Sequence, residues 1–217
     1  MVKQNPTFIY HITHLDNLAS IVEDSCLWSD RRLAGLHNER VVIGYDHIKQ
    51  RRLEQLPVHC HSGTKVGDFV PFYFCPRSPM LFKIWRCDGD LAYKGGQDKI
   101  IHLVSTVDFA VKAAAGRPWA FSDGNAGAEY TQFRSDLSEL PTFVNWNAVN
   151  AKWWRGPNTD PSVMSKKMAE FLVHDSFPWT AIEAIGVIRQ SIATELQAIL
   201  ANANYKPQVV VKPEWYY

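Results

Sequence analysis

A chain of 217 residues is long enough for one well-buried core and short for two full domains, so a single domain spanning 1–217 is expected. A hydrophobic fraction of 46% with 21% charged residues excludes a disordered, collagen-like or coiled-coil chain. Twenty-three Lys and Arg against 22 Asp and Glu leave a formal net charge of +1, so attraction to a polyanion has to come from local patches and not from the overall field. The aromatic complement of 8 Trp, 8 Tyr and 11 Phe is larger than a core of this size requires, which leaves some flat surface to stack on a ligand. Cys26, Cys60, Cys75 and Cys87 form no CxxC pair, and His59, Cys60 and His61 are too close in sequence to converge on one ion. Reduced thiols in a cytoplasm and no metal are therefore expected, and with no apolar run of about 18 residues no membrane span is expected either.

The first element is a strand over 8–14, whose alternation puts Ile9, His11 and Thr13 on one face and Tyr10, Ile12 and His14 on the other. Asp16 is placed to cap a helix over 17–24 with Leu18, Ile21 and Val22 as its apolar stripe. A second helix over 45–56 carries Lys49, Arg51 and Arg52. A glycine-containing loop over 62–67 leads into an aromatic strand over 68–74, and Ser78 followed by Pro79 reads as the cap and first residue of a helix ending near Trp85.

Strands are expected over 100–107 and 119–121, followed by a Gly- and Ala-rich loop over 122–130, a short helix over 145–154 and a solvent loop over 156–161. In the stretch 166–173, Glu170 is the one carboxylate among five apolar neighbours, which suits a desolvated general base. An edge strand or wet helix face that leaves Glu170 in water fits the same pattern. A strand over 180–187, a helix over 191–202 and a closing strand over 208–212 complete a mixed chain. There is no GxGxxG turn, no P-loop, no GxSxG elbow and no HExxH, so the chemistry-bearing residues left are His, Tyr and a lone Glu on separate strands.

Three blocks, YHITHLDNL at 10–18, DFVPFYFCPRSPML at 68–81 and KMAEFLV at 167–173, resemble in order and spacing the DarT family of DNA ADP-ribosyltransferase toxins, and the resemblance extends from Tyr10 to the Trp215-Tyr216-Tyr217 terminus. It implies an α+β ADP-ribosyltransferase fold of the PARP and diphtheria-toxin type, in which two small packed sheets hold NAD in the cleft between them and helices lie at the periphery. It also implies transfer of ADP-ribose from NAD to thymine in single-stranded DNA, with guanine, RNA or protein as alternative acceptors. NAD glycohydrolysis and a non-catalytic single-strand-binding module are the further alternatives.

By the same resemblance His11, Thr13 and Asn17 would hold NAD and Tyr73 would stack on nicotinamide. Glu170 would sit at the reacting centre with an arginine that is either Arg52 or Arg51, Arg52 also reaching NAD. Lys49, Arg77, Met80, Trp119, Asp123, Asn125 and Tyr130 would contact DNA, the 122–130 loop closing on the extruded base. A monomeric toxin paired with a macrodomain antitoxin that removes the mark is the implied setting.

Overall fold

The computed structural model describes residues 6–36, 40–157 and 159–217, so that residue 158 of the solvent loop expected at 156–161 lies outside the described residues. Strand β1 (Phe8–His14) ends on His14, whose Nδ1 accepts the Asp16 amide at 3.2 Å and opens a 3-10 turn ahead of helix α1 (Leu18–Glu23). Asp16 is therefore not the cap: it lies inside that turn, exposed, because the preceding imidazole already supplies the acceptor. Strand β2 (Cys26–Trp28) and helix α2 (Asp30–Ala34) are too short to show a period in the sequence. Helix α3 (Asp46–Glu54) lies within the expected range and has no fully buried residue.

A 3-10 turn over Val66–Asp68 takes up the first residue of the expected strand, leaving β3 as Phe69–Tyr73. Gly67 is obligatory in that turn, since a Cβ there would sit 2.7 Å from the Leu53 side chain and 2.9 Å from its Cα. The absence of that Cβ lets α3 lie directly on the start of β3. Helix α4 (Pro79–Trp85) begins as expected, with Ser78 Oγ accepting the Leu81 amide at 3.2 Å and proline in the first turn.

Strand β4 (Ile100–Thr106) is buried at every residue and runs into helix α5 (Val107–Ala114). Strand β5 spans Trp119–Asn125, so the first four residues of the expected 122–130 loop are strand; Ser122 is fully buried because its hydroxyl accepts the Glu170 amide at 2.8 Å. Strand β6 (Phe133–Arg134) and the short helices α6 (Leu140–Phe143) and α7 (Trp146–Asn150) follow, α7 stopping short of Trp154, whose indole turns inward to donate to the Tyr217 hydroxyl at 3.2 Å. Helix α8 (Ser162–Lys167) hands over to strand β7 (Ala169–His174), which settles the 166–173 stretch as helix end and buried strand. Strands β8 (Ser176–Pro178) and β9 (Ala184–Val187), helix α9 (Gln190–Ile199) and edge strand β10 (Gln208–Val211) close the chain.

Among the described residues eight strands form one sheet in the order β10-β9-β4-β1-β3-β7-β5-β6, with β2 and β8 as a separate pair. The large sheet is effectively two halves. β1 pairs with β4 from Phe8↔Thr106 to His14↔Ile100, and β3 pairs with β7 from Phe69↔His174 to Tyr73↔Glu170, but β1 and β3 meet only at Tyr10↔Tyr73. In that register Pro71 would fall opposite Ile12, and a proline has no N–H for the ladder. The Pro71 carbonyl is taken instead by the His11 side chain, whose Nδ1 donates to it at 2.8 Å. The halves diverge from this point, which is the arrangement of two small sheets around a cleft that the family resemblance implies. Phe72 and Phe171 belong to the core between the sheet and Phe177 of the small pair, and Glu170 is the one acid of the otherwise apolar buried run Ala169–Val173.

Candidate active site

A cleft of about 1040 Å³ occupies the divergence of the two half-sheets, with His11 and Thr13 of β1 on one side, Tyr73 of β3 at the seam, and Lys49 and Arg52 of α3 across from them. Tyr10, Tyr73 and Glu170 lie in one row across β1, β3 and β7, so pairing sets Glu170 beside Tyr73; it reaches the cleft through Tyr73 and Arg52, which line it, and lies just behind that lining itself. Glu170 is 1% exposed. Its side chain is held by a fork from Arg52, Nη1 to Oε1 at 3.2 Å and Nη2 to Oε2 at 2.9 Å, and the Ala126 amide donates to Oε1 at 3.2 Å. Oε1 thus receives two donors and Oε2 one, which leaves Oε2 a lone pair in hand.

The guanidinium of Arg52 is itself almost out of water. Burial by itself would favour loss of its proton, but the charge and hydrogen bonds of Glu170 outweigh that and hold it more firmly charged than usual. Its Nε is buried with no hydrogen-bond partner among the described residues, an orphan donor at the cleft wall. Arg51, one step round the helix, points away and meets Glu129 at 3.3 Å on the surface. Of the two arginines that the sequence left as alternatives, the structure brings Arg52 to Glu170 and leaves Arg51 outside.

On the opposite wall the bond from His11 Nδ1 to the Pro71 carbonyl fixes the tautomer, because a carbonyl only accepts; Nε2 is then an acceptor. Burial pushes the His11 pKa below the usual range and keeps the ring neutral. Thr13 Oγ1 accepts from Asn17 Nδ2 at 3.1 Å, and the same amide clamps Val41 through Nδ2 to the carbonyl at 2.9 Å and the Val41 amide to Oδ1 at 2.8 Å. Asn17 is thereby committed to positioning Thr13 and the segment at Val41. Burial, and then the Glu170 charge, push the Tyr73 hydroxyl well above the phenol range, so it stays protonated.

The residues expected at DNA divide. Met80, Lys49 and Asn125 line the cleft, Lys49 paired with Asp30 at 3.1 Å and Asn125 Oδ1 accepting the Gly127 amide at 2.9 Å. Tyr130 is strongly exposed, and Asp123 Oδ1 accepts the Gln132 amide at 3.0 Å. Trp119 is not at the cleft: its ring stacks on Phe171 at 5.8 Å and on Phe121 at 6.5 Å, because β5 lies on β7 there. Arg77 is not at the cleft either, its guanidinium lying 4.3 Å over the Tyr217 ring.

The roles of Ser122 and the Ala126 amide in seating Glu170 carried no signal in the sequence, since both come from a strand extension and a turn that pattern does not show. His61 of the 59–61 run bonds the Trp119 carbonyl at 2.8 Å, and no metal-like cluster of His, Cys, Asp or Glu occurs among the described residues. All four cysteines are free, and among the described residues no helix is long and apolar enough to cross a membrane.

Residues 10–217 match the family model described as ssDNA thymidine ADP-ribosyltransferase, DarT. A curated DNA ADP-ribosyl transferase of Thermus sp. (strain 2.9) is 39% identical over 214 residues, covering 98% of this chain and 97% of that one. The solved structure of Thermus sp. 2.9 DarT in complex with ADP-ribosylated ssDNA superposes with a TM-score of 0.87 at 39% identity over 98% of this chain and 97% of that one. The same protein in complex with NAD+ gives 0.81 at 37% identity over 99% of each chain. A DNA ADP-ribosyl transferase-DNA ADP-ribosyl glycohydrolase fusion protein of Thermosipho africanus is 26% identical over 90% of this chain and 46% of its own length.

Proposed function

The chain belongs to the DarT family of DNA ADP-ribosyltransferases, and on that premise we propose that it transfers ADP-ribose from NAD to thymine in single-stranded DNA as the toxin of a toxin–antitoxin pair. The observation that carries this reading is the buried Arg52–Glu170 fork in the same strand row as Tyr73, facing a neutral His11 across the cleft.

The residues fit NAD. The cleft offers an acceptor at His11 Nε2, the Thr13 hydroxyl, the flat face of Tyr73, and a permanent cation whose Nε lacks a partner. NAD supplies an electrophilic ribose carbon once nicotinamide departs. His11 and Thr13 bind the adjacent ribose hydroxyls, Tyr73 packs on nicotinamide, and the orphaned Nε of Arg52 takes a phosphate or ribose oxygen. Glu170 Oε2 accepts the N3 proton of thymine, the step without which N3 is a poor nucleophile. Arg52 keeps that carboxylate aimed and places positive charge beside the developing negative charge of the base.

Single-stranded DNA is required because N3 is paired and stacked in a duplex. The turn after β5, with the Ala126 amide on Glu170 and exposed Tyr130 nearby in sequence, couples the carboxylate to the loop that would close on the base. The fusion of transferase and glycohydrolase in the Thermosipho protein supports a macrodomain partner that removes the mark.

The test is to incubate the protein with NAD and single strands in which only one base type can react, and to weigh the products. One added ADP-ribose on thymine strands, lost in Glu170→Gln, is expected. Labelling of guanine strands alone would overturn the base assignment, and nicotinamide release with no labelled strand would overturn the transfer.

A further inference from the structure

The arginines of this chain are not distributed at random with respect to partners. Of the 11, seven pair with Asp or Glu. An eighth, Arg117, is bound to backbone carbonyls including those of His174 and Ser176 at 3.0 and 2.6 Å. The remaining three, Arg77, Arg86 and Arg155, have no carboxylate partner among the described residues, and all three lie over the rings of one aromatic cluster.

Arg155 sits 4.8 Å over Phe82, Arg77 4.3 Å over Tyr217 and Arg86 5.6 Å over Trp85. Phe82 joins the cluster, with centroids 5.5 Å from Trp85, 5.3 Å from Trp154 and 5.1 Å from Tyr217. Phe82, Trp154 and Arg155 also line the cleft, so the cluster continues from the cleft to the surface. Of the cluster's own rings Trp85 is 41% exposed, and Trp153, the chain neighbour of Trp154, is 81% exposed. The acids at this end are Asp88, which Lys83 neutralises at 2.7 Å, and Asp90 at the cleft.

Exposed indole faces beside unpaired, permanently charged guanidiniums suit a ligand that alternates flat faces with anions. Unpaired bases joined by phosphates have that character, whereas a duplex hides its base faces. We propose that Trp85 and Trp153, with Arg86 and Arg155, form a platform that holds nucleotides flanking the target base, bases on the indoles and phosphates on the guanidiniums. The proposal rests on the single-stranded DNA reading above and adds the surface that grips the strand outside the cleft.

The experiment is steady-state kinetics on a strand with long flanks and on one barely longer than the target, with Trp153→Leu, Trp153→Phe and Arg86→Gln. Trp153 is exposed and neither residue lines the cleft, so folding and NAD use should be unchanged. Trp153→Leu should raise the KM for the long strand between about five-fold and about a hundred-fold, the range of one stacked base, with kcat intact and the short strand unaffected. Trp153→Phe should restore most of the loss, and Arg86→Gln should reduce the salt slope of binding by about one.

An unchanged KM for the long strand in the Trp153→Leu, Arg86→Gln double variant would overturn the platform. So would equal losses for leucine and phenylalanine, or a change in sedimentation with KM unaltered, which would make the surface a protein interface. Wild-type protein that labels no strand would remove the premise and the platform together, whereas labelling with insensitive variants removes the platform alone.

Discussion

Arg51 and Arg52 are neighbours in one helix, and each meets a glutamate at about hydrogen-bond distance, yet the two pairs do different things. Arg51 reaches Glu129 at 3.3 Å, with 39% and 81% of the two side chains exposed. Arg52 forks Glu170 with its nearer contact at 2.9 Å and side chains 12% and 2% exposed. An exposed pair exchanges one set of water contacts for another and contributes little, while a buried pair has lost its water and depends on its partner. Burial, and not the presence of opposite charges, is what turns an arginine–glutamate contact into an aimed carboxylate.

The largest expected effect comes from breaking the inner pair on one side. Arg52→Ala leaves Glu170 charged without a counter-ion and should cost about 3–5 kcal/mol, visible as a lower denaturant midpoint together with lost transfer. The double change Arg52→Met, Glu170→Leu should recover much of that stability and none of the activity; a double variant no more stable than Arg52→Ala would break the comparison.

Next comes another buried polar group, His102, which lies between the Tyr216 hydroxyl at 3.1 Å and the Pro76 carbonyl at 2.9 Å. Burial pushes its pKa down to about 4. The unfolded chain then takes up the proton first as the pH falls below about 6.5, so stability is full above that value and declines toward pH 4, by about 3 kcal/mol in all. The urea midpoint should therefore fall further between pH 7 and pH 4.5 in wild type than in His102→Gln, and equal falls in the two would contradict this account of burial.

A smaller effect is expected at His11, also buried and with its pKa lowered. Because the neutral ring is the competent form, kcat/KM for NAD should hold through pH 6.5 and fall only on further acidification, and His11→Ala should weaken NAD use at every pH. An acid limb centred at or above 6.5 that disappears in His11→Ala would contradict the assignment. The smallest effect belongs to the outer pair, where Arg51→Ala should change stability by less than about 1 kcal/mol.

Much of this arrangement is legible in the chain. Alternation in 8–14 places His11 and Thr13 on a common face, the Ser78–Pro79 start of α4 follows from capping chemistry, and a lone acid in an apolar run marks Glu170. The choice between Arg51 and Arg52 is not legible, because α3 has no fully buried residue and therefore no apolar stripe to fix its phase. The capping ahead of α1 is not legible for a local reason: His14, an uncommon acceptor, caps the 3-10 turn before the helix and leaves the commoner Asp16 inside that turn.

Trp119 and Arg77 illustrate a different limit. Both are residue types that suit nucleic acid, but long-range pairing of β5 with β7, and of the 77–78 turn with Tyr217, decides what each one touches. The split of the sheet was present in the sequence as a proline within an aromatic strand. Its meaning depends on which strand lies beside it, and that is set by tertiary pairing.

The most direct measurement is single-turnover transfer of ADP-ribose to one thymine-containing strand by Arg51→Ala and Arg52→Ala side by side, both checked for folding by circular dichroism. The account predicts a rate within about three-fold of wild type for Arg51→Ala and a loss of at least about a hundred-fold for Arg52→Ala, the scale of general acid–base and electrostatic catalysis. Equal losses in the two variants, or a larger one for Arg51→Ala, would contradict the placing of the reacting centre at the buried fork.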